Sequence, residues 1–137
     1  VPVSAAVWGV YTNRWGWPDV SEGFHDFFQD AAQFTADGHA DALVPMTYWT
    51  VRPGERLDFE LLVKDHMRRA NGRHVYAGVR AHPSWSVEEV EEAIRAARRQ
   101  GAHGVVVFEY SEARRLFDRL RQGVFALPAR PPVMEWR

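Results

Sequence analysis

The residues able to do chemistry gather where short apolar runs end. Glu109 directly follows the run Val105-Val106-Val107-Phe108 and precedes Tyr110. A carboxyl at the end of a buried strand is where barrel enzymes display their chemistry, and glycoside hydrolysis sets one carboxyl on each side of the scissile bond. Burial between Phe108 and Tyr110 would raise its pKa and suit an acid or acid/base role. The alternative is a buried carboxylate paired with an arginine, Arg80 for instance. Arg80 and His82, at the end of another run, are candidates to bind substrate oxygens or to orient Glu109. No second strand-end carboxylate is visible. Asp19, Glu22, Glu55 and Asp58 fall in loops or caps, Asp41 precedes its run, and Asp26 and Asp30 lie inside a helical stretch.

Aromatic residues crowd the same ends. Trp8 and Tyr11 close the first run, with Trp15 and Trp17 in the loop after it; Tyr48 and Trp49 close the second, Trp85 follows the third, and Tyr110 closes the fourth. Of the six tryptophans only Trp136 lies elsewhere. Flat rings with an N–H or O–H at one edge suit sugars, which offer apolar C–H faces and peripheral hydroxyls. The same rings could instead cover the mouth of a barrel, or pack beneath neighbouring loops.

Four elements must position these groups. The apolar runs Val3 to Val10, Ala42 to Tyr48, His74 to Val79 and Gly104 to Tyr110 read as strands buried on both faces of a parallel sheet. Each precedes a helical pattern. The first is expected from Ser21 to Gly38, with Phe24, Phe27, Phe28, Ala31 and Phe34 on one face. The second is capped by Asp58, carries Phe59, Leu62, Val63, Met67 and Ala70, and stops at Asn71-Gly72. The third starts at a Ser86/Glu89 capping box and stops at Gly101; the fourth starts at Ser111 with Leu116, Phe117 and Leu120. The order βαβαβαβα demands a parallel sheet with right-handed crossovers. Helix-to-strand links are terse and strand-to-helix links long, which favours half of a (β/α)₈ barrel over an open doubly wound sheet, and no Gly-rich phosphate loop follows any strand. Residues 1–127 form this expected half-barrel, and 128–137 a Pro-rich tail or linker.

Composition narrows the function classes. At 137 residues the chain is well short of a full barrel of about 250 residues. A net charge of −1 argues against a nucleic-acid partner, and no apolar run approaches the roughly 20 residues that would insert in a membrane. Without cysteine there is no thiol chemistry, and no pair of histidines has helical ligand spacing, so neither metal nor cofactor is expected. The chain opens on Val1-Pro2-Val3-Ser4 with no charged-then-apolar leader.

Two segments carry a family resemblance: Asp41-Ala42-Leu43-Val44-Pro45-Met46-Thr47-Tyr48-Trp49 and Gly104-Val105-Val106-Val107-Phe108-Glu109-Tyr110-Ser111. With Val3 to Gly9 and Val75 to Val79 they resemble, in order and spacing over nearly the whole chain, strands five to eight of the glycoside-hydrolase-like family 10 proteins. The resemblance implies a bacterial TIM-barrel protein, exported to the periplasm or exterior, that cleaves a polysaccharide or cell-wall glycan with Glu109, Tyr48, Trp49 and Trp8 in its cleft. That family's fourth strand ends in an Asp-x-x-Arg-Tyr-Pro-like motif with a candidate catalytic aspartate, and nothing here matches it. The expectation is therefore a hydrolase fragment, incomplete as a catalyst alone. The alternative is a non-catalytic carbohydrate-binding or scaffold module. A half-barrel has two bare sheet edges, so self-association or pairing with an N-terminal half-barrel is expected.

Overall fold

The computed structural model describes residues 1–136. Four parallel strands lie in the order β1 (Ser4–Trp8), β2 (Ala42–Met46), β3 (His74–Arg80) and β4 (Gly104–Phe108). Between and after them come α1 (Gly23–Asp26), α2 (Ala31–Ala36), α3 (Phe59–Arg69), α4 (Val87–Arg99), α5 (Tyr110–Ala113), a 3₁₀ turn (Arg114–Leu116) and α6 (Phe117–Gln122). The chain is an α/β fold whose four strands neighbour one another in sequence order.

One face of the sheet carries the core. Val7, Leu43 and Val75 pack on Ala31 and Ala70; Ala77, Val79, Val105 and Val107 pack on Phe59, Val63, Val90, Ile94, Leu116 and Leu120. By strand alternation the other face presents Ala6, Val44, Met46, Tyr76, Val106 and Phe108. Ala6, Val106 and Phe108 are exposed there, and the other three are half-buried. The sequence reading of strands buried on both faces thus holds for the helix side alone. β1 and β4 are edges, and their exposed residues follow from having a neighbour on one side only.

Two helix starts and one helix stop follow the sequence. Asp58 accepts from the Leu61 N–H at 2.9 Å, and Ser86 and Glu89 form the expected reciprocal box. Asn71 and Gly72 both take positive φ at the end of α3, where the left-handed stop was expected. The first helix is different: it breaks in two at residues 27–30. Gln29 turns inward to accept the Trp8 N–H at 2.8 Å, and Asp30 caps α2 through Gln33 N while taking the Tyr11 hydroxyl at 2.8 Å. Phe28 adopts φ 53° at the break. Phe24, Phe27 and Phe28 are consequently exposed rather than lined up on an inner face.

The described part of the Pro-rich stretch, residues 128–136, forms no helix or strand, yet it stays on the molecule. Trp136 donates its indole N–H to Asp41 at 2.9 Å, lies edge-on to His74, and has the Arg73 guanidinium 4.8 Å above its ring. His74 donates to the Val133 carbonyl and stacks on His103 at 4.3 Å. These groups sit where β2 and β3 begin. Asp41, His74 and His103 thus tie the strand starts to one another and to the tail.

α3 also buries a polar pair. Asp65 takes Arg69 at 2.8 Å and Arg14 at 3.0 Å. Beside it His66 donates to the Gly9 carbonyl at 3.1 Å, while its Nδ1 has no partner among the described residues. Burial holds the His66 pKa down to about 4. The unfolded chain, with an ordinary histidine near 6.5, binds the proton more readily, so acid favours unfolding across that window. Stability is expected to fall by about 2 kcal/mol between pH 7.5 and pH 5 on this account. The His66→Gln variant should flatten that slope in thermal melts, and an unchanged slope would remove His66 as its cause.

Candidate functional site

On the uncovered face, at the C-terminal ends of β2, β3 and β4, three side chains meet. The Tyr48 ring stacks on Phe108 with centroids 5.3 Å apart and planes at 21°. Arg80 lies between them in the sheet, paired in register with Phe108. Tyr48 reaches Phe108 by crossing over β3 at Gly78. A Cβ there would stand 2.5 Å from the Pro45 carbonyl and 3.1 Å from the Tyr48 ring. Thr47 secures the crossing by donating its hydroxyl to the Gly78 carbonyl at 2.8 Å. β2 and β3 pair through Ala42↔His74 and Leu43↔Val75, and Pro45, without an N–H, cannot extend the ladder as a donor.

Electrostatics sharpen this group. Burial pushes the Tyr48 phenol upward, against the opposing pull of the Arg80 guanidinium. The Arg80 Nε is buried with no hydrogen-bond partner among the described residues. A buried donor left unmade costs about 1–3 kcal/mol.

Glu109 borders the group but is exposed, with Ser111 donating its hydroxyl to the carboxylate. The expected burial is absent because β4 is an edge strand: Phe108 is 47% and Tyr110 73% exposed. Neither is Glu109 paired with Arg80. Tyr110 begins α5 and meets Phe117 edge-on at 5.8 Å. His82 bonds Ser84 in the β3–α4 loop, and its carbonyl accepts from Arg115.

The remaining rings divide into two sets. Trp8, Trp15, Trp17 and Trp49 form one half-buried cluster over Val10, Leu57 and Leu62, with Trp15 and Trp17 stacked at 4.5 Å. Gly9 makes room for it, since a Cβ there would stand 2.8 Å from the Trp49 ring. Trp8, Trp49 and Asp19 line a shallow cleft of about 160 Å³ there. Tyr11 and Trp85, by contrast, belong to the helix-side core. Tyr11 is buried under Arg69, whose guanidinium is 4.2 Å from the ring, and its phenol is pushed up to about 12 by burial and by Asp30. Trp85 packs beside α4.

Sequence reasoning missed Phe108, Gly78 and Thr47 as parts of the site. Phe108 was legible as core, not as the stacking partner of Tyr48. The signal for Gly78 was a glycine inside a strand pattern, which marks a close backbone approach. Comparisons with family models, with curated proteins and with solved structures find no match for this chain.

Alanine at Gly78 is expected to destabilise the fold by about 1–3 kcal/mol, because the colliding atom is a backbone carbonyl. Urea unfolding would read this as a lower midpoint. A midpoint equal to the parent's would contradict the close approach of Tyr48 and Pro45.

Proposed function

We propose that this chain is half of a (β/α)₈ barrel whose mouth is a carbohydrate cleft, and that Glu109 is a carboxyl of a glycoside hydrolase site. The carrying observation is the group at the strand ends: the stacked pair Tyr48 and Phe108, a buried Arg80 donor without an acceptor, and an accessible Glu109 beside them. Consecutive strand order with the core on one face supports the half-barrel, because each right-handed crossover then steps in the same direction. The strand segments that resemble glycoside-hydrolase-like family 10 proteins support the same reading.

In this account the Tyr48 and Phe108 rings take the C–H face of a sugar, and Arg80 donates to a ring substituent or hydroxyl. Glu109 gives a proton to the departing glycosidic oxygen, or takes one from the attacking water, while a second carboxylate serves the opposite side of the bond. Glu109 is the one carboxylate within three residues of a strand's C-terminal end in this sheet. That single carboxylate favours a second reading, sugar binding without hydrolysis.

Titration calorimetry and reducing-sugar release on a panel of β-linked glucans and cell-wall oligosaccharides separate the two. Tyr48→Ala is expected to weaken binding about tenfold, the size of one lost aromatic contact. Glu109→Gln should keep binding and lower turnover about 10²-fold or more. Unchanged turnover would remove Glu109 from the chemistry, and binding without turnover in the parent chain would select the second reading. No binding to any glycan would overturn both.

A further inference from the structure

β1 and β4 are both edges, each is five residues long, and both run the same way. Each therefore offers a row of backbone N–H and C=O groups of equal length that no described strand pairs. Exposed apolar side chains flank both. Next to β1 stand Phe24, Phe27 and Phe28, the last 88% exposed; on and after β4 stand Val106, Phe108, Tyr110 and Phe117. At the areas usual for such side chains, these exposures amount to on the order of 700 Å² per copy. The rest of the open sheet face, Ala6, Val44, Met46 and Tyr76, adds to that, and a stable interface needs about 800 Å² per partner.

The two flanks also carry opposite charge. Residues 15–51 contain no lysine or arginine, and the helical segment after β1 carries Glu22, Asp26, Asp30 and Asp37. The segment after β4 carries Arg114, Arg115, Arg119 and Arg121 against Glu109, Glu112 and Asp118. Along it Tyr110, Arg114, Phe117 and Arg121 recur at the spacing of one helix face and are exposed, while Ala113, Leu116 and Leu120 are buried.

We infer that a second copy of this chain covers the open face, in a head-to-tail ring of two where β4 of each copy pairs with β1 of the other. The inference rests on the half-barrel reading above. A two-fold axis along the centre of the ring keeps all eight strands parallel and leaves no edge. The basic outer face of α5 and α6 then meets the acidic α1 and α2 of the partner twice. The same axis sets the partner's Glu109 on the opposite side of the mouth, so one carboxylate per chain becomes a pair.

Light scattering on the full chain is expected to give twice the 15.7 kDa chain mass, with an affinity that falls as salt rises. The double variant Arg114→Glu/Arg121→Glu should dissociate at concentrations where the parent is dimeric, and so should Glu22→Lys/Asp26→Lys. Mixed in equal amounts they should recover the dimer, since each then meets its opposite at both junctions. Recovery itself shows both variants folded; should either fail to fold by circular dichroism, the salt dependence of the parent decides. A monomer at every concentration overturns the inference. So does a dimer indifferent to salt and to both charge reversals, or a mixture of folded variants that stays monomeric. Association solely with a separately supplied barrel half also overturns it, while leaving the half-barrel reading and the sugar-binding rim intact.

Discussion

The direction of the crossovers is the constraint on which everything else depends. Four parallel strands lie in consecutive order and the helices between them pack on one face, as connections that all share one hand require. Val7, Leu43, Val75, Ala77 and Val79 therefore share a core with the helices, and the alternate residues of the same strands do not. An open doubly wound sheet escapes this by reversing its strand order partway, which lets helices cover both faces. The described strands show no reversal. Among the described residues its second face is open except where Val133 and Trp136 lie on His74, and its two outermost strands have a neighbouring strand on one side alone.

The site is a product of that asymmetry. Residues at strand ends belong to the open face or to the core according to which face they project from. Tyr48, Arg80 and Phe108 project on the uncovered side, and Gly78 removes the one side chain that would block Tyr48 from reaching Phe108. Tyr11 lies past the end of β1 on the other side, where Asp30 and Arg69 engage it. Two tyrosines near strand ends thus have different surroundings, and both phenols are pushed up by burial for different structural reasons.

Much of the fold was legible because local signals agreed with the tertiary outcome. Val105 to Phe108 is the clearest of the strand-like runs, and Asp58 and the Ser86/Glu89 pair mark helix starts with side chains that do the capping themselves. The break at residues 27–30 was not legible. Its cause is tertiary: Gln29 is held by the backbone of Trp8 and Asp30 by the hydroxyl of Tyr11, against a phenylalanine spacing that fits a continuous helix. The exposure of Glu109 escaped for a related reason. An apolar run states that a strand can be buried, but whether it is an edge depends on how many strands the sheet has. The docking of Trp136 on Asp41 and His74 had no local signal at all.

What the uncovered face meets in solution is the central question, and the edge strands answer it. Amide hydrogen exchange can be followed for Ala6 and Val7 in β1 and for Val106 and Val107 in β4 while the protein is diluted. If a second copy pairs with both edges, these amides exchange nearly as slowly as those of β3 at high concentration, and they lose that protection together on dilution. Edge amides that exchange fast at every concentration, with β3 protected throughout, would mean that the sheet stands alone and its open face is not an interface.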